Sequence, residues 1–166
     1  MKIFLDTTHL LPFFGIQTTI PQHVEQLHLL LKKPKPIGHI LISDLSLIEI
    51  RWLLNSYQRK ETNELKKSAF SPRFLQAINQ LTNSPEISVI NWYNFPIGIN
   101  FAENIYKLGH NDFFDCNILG SAFAHNAILI SEDKAFPELI VKLNTIYKKP
   151  TISLLTWLQF AKTYLS

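Results

Sequence analysis

Short apolar runs alternate along this chain with longer stretches of helical periodicity. Ile3–Leu5, His39–Ile42, Ile87–Ile90 and Ala127–Ile130 are apolar, β-branched and bounded by turn or polar residues, which is the pattern of buried strands. Thr151–Ser153 is a weaker fifth. Between them, Leu27, Leu30 and Leu31 repeat at helical spacing after Pro21. Leu45, Ile48, Trp52 and Leu53 do the same after Ser43-Asp44, a good N-cap. Phe113, Asn117, Ala122 and Phe123 belong to another helix, and Leu154, Trp157, Leu158 and Ala161 to a closing one. Strands alternating with helices predict an α/β fold of βαβ units, a parallel sheet with helices on both faces. Residues 55–84 carry Arg59-Lys60, Lys66-Lys67 and Arg73 and predict a pair of polar surface helices broken near Ser71-Pro72. The basic, proline-flanked stretch 32–36 reads as a connection inside one domain spanning 1–166.

Acids stand where this pattern makes them informative. Asp6 ends the first strand, and Asp133 follows the fourth in Ile130-Ser131-Glu132-Asp133. In an open α/β sheet, ligands bind beyond the carboxyl ends of the strands. Glu49 lies inside the apolar segment Leu47-Ile48-Glu49-Ile50, where an acid is costly unless paired or bound to a metal. Asp112 and Asp115 are three apart at the start of a helix, so both fall on one helical face. Each has a structural alternative. Asp6 and Asp112 could be helix caps, Asp115 a first-turn acid favoured by the helix dipole, and Asp133 a loop acid. Together, three separated segments deliver acids to one sheet edge. Clustered carboxylates raise each other's pKa, and a hard cation relieves the repulsion. Oxygen-only ligation suits Mg²⁺ or Mn²⁺, and Mg²⁺ is commonly completed by water and substrate phosphate. The set therefore points to phosphoryl-transfer or phosphodiester chemistry.

Composition narrows the classes. The chain has 166 residues, 46% apolar and 17% charged, with a formal net charge of +3. That suffices for one sizeable core and argues against intrinsic disorder. Cys116 is the only cysteine, so no internal disulfide forms and a disulfide-built secreted scaffold is excluded. It also has no cysteine partner for zinc, and the six histidines lack zinc-ligand spacing. No long uncharged apolar run predicts a membrane span. Asp6 interrupts the N-terminal apolar stretch, which disfavours a signal peptide. A cytoplasmic protein is expected. Gly-rich phosphate-binding motifs are absent among the five glycines. Asp6-Thr7-Thr8 lacks the second Asp that an aspartyl-phosphate enzyme would want.

The residues around these acids resemble the PIN-domain ribonucleases, of which VapC-type toxins are bacterial members. Ile3-Phe4-Leu5-Asp6-Thr7-Thr8-His9-Leu10-Leu11 is similar to the family's first strand and leading acid. Ile42-Ser43-Asp44-Leu45-Ser46-Leu47-Ile48-Glu49-Ile50 is similar to its strand, hydroxyl cap and helical Glu. Asp112-Phe113-Phe114-Asp115-Cys116-Asn117-Ile118-Leu119-Gly120-Ser121-Ala122 is similar to the acid that leads a small-residue helix, with Asp115 the better match. Ile128-Leu129-Ile130-Ser131-Glu132-Asp133-Lys134-Ala135-Phe136 is similar to the last motif. The resemblance implies a three-layer α/β/α sandwich with a mainly parallel five-stranded sheet. It implies Mg²⁺- or Mn²⁺-dependent cleavage of RNA, and for a toxin a cognate antitoxin and a homodimer. The alternative is a catalytically silent module of the same fold that binds RNA or protein.

On the nuclease reading Asp6, Glu49, Asp115 and Asp133 form the catalytic cluster, with Asp6, Asp115 and Asp133 as metal-ligand candidates. Asp6 and Asp115 are expected as direct ligands, and Glu49 and Asp133 as holders of a second ion or of metal waters. Thr7, Ser131, Asp112 and Glu132 are supporting candidates. His9, His110 and His125 read as surface or packing residues, and Cys116 as a small core residue. Cations for phosphate contact include Arg51 and Lys134, with Lys32, Lys33, Lys35, Arg59, Lys60, Lys66, Lys67 and Arg73 further off in sequence. Trp92 and Tyr93 could stack unpaired bases or be core or interface aromatics.

Overall fold

A computed structural model describes residues 1–32, 38–148 and 151–165. Lys33 and Lys35, and most of the basic connection, lie outside the described residues. The strands are β1 (Lys2–Leu5), β2 (His39–Ser43), β3 (Ile87–Ile90), β4 (Ile128–Ile130) and β5 (Ser153–Leu155). They form one five-stranded sheet in the order β3-β2-β1-β4-β5, and every pairing is parallel. β1 is central. Ile3 lies opposite Ile40 on one side and Ile128 on the other.

Alternation along the strands divides the core into two layers. Ile3, Leu5, Ile40, Ile42 and Ile130 face one side. They meet α1 (Thr7–Leu10), α2 (His23–Lys32), α3 (Asp44–Lys60), α4 (Glu64–Thr82) and α8 (Trp157–Tyr164) there. Phe4, Leu41 and Leu129 face the other. They meet α5 (Pro96–Lys107), α6 (Phe113–Ala124) and α7 (Phe136–Tyr147). The α/β sandwich with helices on both faces is as expected. Among the described residues, no helix is long and apolar enough to cross a membrane.

Three expectations need correction. The helical pair in 55–84 breaks at residues 61–63, where Asn63 caps α4, and not at Ser71-Pro72. Pro72 lies inside α4. The carbonyl it leaves without an intrahelical donor belongs to Ser68, an exposed residue where water can serve. The fifth strand is Ser153–Leu155, so Leu154 is a strand residue and the last helix begins at Trp157. Thr156 supplies the reason, as its hydroxyl and Gln159 make a reciprocal capping box. The periodicity also left α5 and α7 unassigned.

α5 and α6 cross at two glycines. A Cβ on Gly120 would lie 2.3 Å from the Gly98 carbonyl oxygen, and one on Gly98 would lie 2.8 Å from that of Gly120. The helix backbones are in direct contact there, which only glycine allows.

Beneath the sheet end, His9 is fully buried between His23 and Trp157. Nδ1 of His9 and Nε2 of His23 share a hydrogen bond of 3.1 Å. Thr18 lies 2.8 Å from Nδ1 of His23. The Trp157 indole donates to Gln26. Burial drives His9 down to about 3 and His23 down to about 4, from 6.5. Both imidazoles fold neutral, whereas the unfolded chain protonates them near pH 6.5. Their contribution is therefore fully present above about pH 6.5 and is lost as pH falls toward 4. Each costs roughly 1.4 kcal/mol per pH unit over that range. Urea unfolding should show His9→Phe gaining on the wild type by about that slope below pH 6.5. A pH-independent difference between the two would contradict a neutral buried His9.

Candidate active site

The acids gather where β1 and β4 end. The Asp6 N–H donates to the Ile130 carbonyl at 3.1 Å, and the Ser131 N–H to Leu155 at 3.1 Å. Both residues thus sit one step past the paired strands. Asp6 is buried. One of its carboxylate oxygens accepts from the Thr7 N–H at 2.6 Å, the other from the Ser131 hydroxyl at 2.5 Å. The same Ser131 oxygen accepts from the Asp133 N–H at 3.1 Å. Ser131 therefore ties the two strand-end acids together.

Glu49 reaches the same place from α3. It accepts a 2.6 Å hydrogen bond from the Thr7 hydroxyl. Asp115 comes from the first turn of α6, half-buried, with His110 Nε2 3.0 Å from its Oδ2. Asp112 caps α6, accepting from the N–H groups of Phe114 at 2.8 Å and Asp115 at 3.1 Å. Its charge is felt by both Glu49 and Asp115, so it combines the cap role with a place in the cluster.

Burial and repulsion weigh on these charges. Burial is the largest cause pushing Asp6 up to about 7, with the charges of Asp115 and Glu49 adding and the Ser131 and Thr7 hydrogen bonds opposing. Burial, then Asp112 and later Asp133, pushes Asp115 up to about 6, against His110. Glu49 is raised by burial and Asp112, against its Thr7 hydrogen bond. Among the described residues, no Lys or Arg forms an ion pair with Asp6, Glu49, Asp115 or Asp133. An oxygen-only set with uncompensated negative charge fits a hard divalent cation. No three His, Cys, Asp or Glu side chains among the described residues converge closely enough to chelate one ion together.

A family model for the PIN domain matches residues 3–141. The chain belongs to the PIN-domain family. Its members are generally nucleases. No curated protein sequence matches the chain. Among solved structures it is similar to VapBC2 from Rickettsia felis bound to a DNA fragment from its promoter. That likeness has a TM-score of 0.56 at 18% identity and covers 95% of this chain and 99% of the other. DNA-bound VapBC from Salmonella typhimurium gives 0.54 at 15%, covering 95% and 98%. FitAB bound to the IR36 DNA fragment gives 0.58 at 16%, covering 94% of each chain. At these identities the likeness is one of fold, and the fold is the PIN sandwich.

The PIN core brings Asp6, Glu49, Asp115, Thr7 and Ser131 into one hydrogen-bonded and electrostatic neighbourhood, with Asp133 attached through Ser131 and Asp112 through α6. Glu132 stands apart and caps α8, its carboxylate accepting from the Trp157 N–H at 2.7 Å. Arg51 turns to α4, with its guanidinium 5.0 Å from the centre of the Phe74 ring. Lys134 is exposed beside Asp133. His9, close to Asp6 in sequence, is core. His110, given little weight in sequence, is the residue that holds Asp115. Its only sign in the sequence is its place two residues before the Asp112 cap. Cys116 is buried as expected, its thiol pushed up to about 11 by burial and by the charges of Asp115 and Asp112, and is poorly suited to act as a nucleophile.

Proposed function

We propose that this PIN domain is a Mg²⁺- or Mn²⁺-dependent endoribonuclease, the toxin of a toxin–antitoxin pair. The observation that carries the reading is the convergence of acids from four segments at the carboxyl end of a parallel sheet, with no Lys or Arg ion pair among the described residues. In this reading Asp6 and Asp115 would hold the ion directly, with Glu49 and Asp133 supporting them. When bound, the ion supplies Lewis-acid stabilisation of charge on the phosphate and makes water a stronger acid. The remaining work falls to the chain. Thr7 fixes the Glu49 carboxylate, Ser131 fixes Asp6 relative to Asp133, and His110 fixes Asp115. Lys134 lies at the rim for phosphate contact.

The neighbouring structures are VapBC and FitAB toxin–antitoxin assemblies, which supports a cognate antitoxin. A homodimer and a cytoplasmic setting belong to the same proposal. A second reading, a silent module of the same fold that binds RNA or protein, is favoured by one observation: among the described residues no three His, Cys, Asp or Glu side chains form a group that could hold a metal ion. One experiment separates them. Purified protein free of antitoxin is incubated with a broad RNA pool in Mg²⁺, in Mn²⁺ and in EDTA. The nuclease reading expects fragments only with metal, with Asp115→Asn inactive. An intact pool together with no metal binding by calorimetry would favour the silent module.

A further inference from the structure

The same segments that carry the acids leave aromatic rings in water. Trp52 stands one turn beyond Glu49 on α3 and is 69% exposed. Phe113, between Asp112 and Asp115, is 51% exposed, and Tyr93 57%. Ring centres run without a gap from Trp52 to Phe114 (6.5 Å), Phe113 (5.9 Å), Trp92 (5.6 Å) and Tyr93 (6.1 Å). The last three contacts are edge-to-face, at 81°, 85° and 89°. Each such contact sets one ring's edge against the next ring's face, and Trp52, Phe113 and Tyr93 still keep more than half of their surface in water. The Trp92 N–H donates to Asp44 at 3.3 Å, which pins the far end against the start of α3. Behind Trp92 and Phe113 lies a cleft of about 450 Å³, with Asn111 and Asn117 among its lining residues.

This chain can bury a tryptophan completely, as Trp157 shows. An exposed aromatic run calls for a partner, and this one adjoins the carboxylates. We infer that Trp52, Phe113 and Trp92 form a base-stacking strip that seats unpaired nucleobases of single-stranded RNA beside the acidic site. Unstacked bases offer the flat faces these rings match, whereas a duplex hides them. The choice of RNA as occupant rests on the nuclease reading.

Binding is measured on Asp6→Asn protein, which separates it from cleavage. Of the three tryptophans, Trp157 is buried, so quenching of emission by an oligonucleotide reports Trp52 and Trp92. A single-stranded 12-mer should quench, and the matching duplex should not. Trp52→Ala should weaken single-strand binding about 10-fold, as loss of one stacked base does, while Trp52→Phe restores most of it. Phe113→Ala tests the α6 side independently. Equal affinity of Trp52→Ala, Phe113→Ala and parent, or equal binding of duplex, would overturn the strip. So would light scattering that shows a dimer dissociated by Trp52→Ala with RNA affinity unchanged, since a second copy would then be the occupant. Metal-dependent cleavage by the wild type alongside any of these results would leave the nuclease reading standing.

Discussion

On the nuclease reading, Asp6→Asn should abolish RNA cleavage and yet stabilise the metal-free protein. Loss of activity should be at least about 100-fold, because a bound metal contributes several kcal/mol to phosphoryl chemistry and Asp6 is the most buried of the clustered acids. Stability moves the other way. The Asp6 carboxyl titrates at about 7 when folded and at 3.8 ordinarily. Between those values the folded chain keeps a proton that the unfolded chain has released. Its contribution is present below about pH 3.8 and is lost as pH rises through 7. At pH 8 in EDTA the variant should exceed the wild type by a few kcal/mol, at most about 4 by the shift. Asparagine can still accept from the Thr7 N–H, and the Ser131 hydroxyl can rotate to meet the amide. Mg²⁺ or Mn²⁺ should raise the melting temperature of the wild type and leave that of Asp6→Asn nearly unchanged. Thermal melts of both proteins at pH 5 and 8, with and without metal, check all of this. A variant less stable than wild type in EDTA at pH 8 would mean that Asp6 folds as an ordinary capping carboxylate.

Gly120→Ala should damage the whole molecule. The new methyl would lie 2.3 Å from the Gly98 oxygen, 3.1 Å from its carbonyl carbon and 3.3 Å from the Ala102 side chain. The obstacle is backbone in the first turn of α5, which cannot swing aside as a side-chain tip can. α5 and α6 must separate, opening the layer built by Phe101, Ile105, Ile118 and Leu119. Overpacking ordinarily costs 1–3 kcal/mol, and with rigid backbone on both sides about 3 kcal/mol or more is expected. For a chain of this length that lowers the melting temperature by roughly 10 °C. Because α6 also carries Asp112 and Asp115, the site should loosen with the core. Calorimetry on Gly120→Ala and Gly98→Ala gives the test, and a melting temperature within a degree or two of wild type would show that the helices ride farther apart.

What could be read in the sequence was what is local. The central strands announce themselves because their apolar runs are flanked by turn residues. Asp6 and Asp133 were readable as site acids because strand ends define an edge. Glu49 was readable because an acid amid apolar neighbours needs a reason. The missing parts depend on distant partners. Gly98 makes Pro96–Lys107 look a poor helix until Gly120 is seen against it. His9 gives no sign in sequence of packing on Trp157, and His110 gives only its place two residues before the Asp112 cap. Glu132 reads in sequence as a supporting acid, because nothing local shows that its carboxylate meets the start of α8. Pro72 read as a break because a local rule cannot know that the carbonyl it orphans belongs to an exposed residue.

The central place of β1 has a consequence for synthesis. Its two neighbours are made about 40 and 125 residues later in the chain, as the pairing of Ile3 with Ile40 and Ile128 shows. Contacts of such long sequence separation form late and slowly. A nascent chain that has not yet released β4 from the ribosome has Asp6 on an open sheet edge, without Ser131 to hold it. On the nuclease reading, such a chain cannot attack the RNA-rich machine that is making it. On that reading, activity arrives only when the far strand docks.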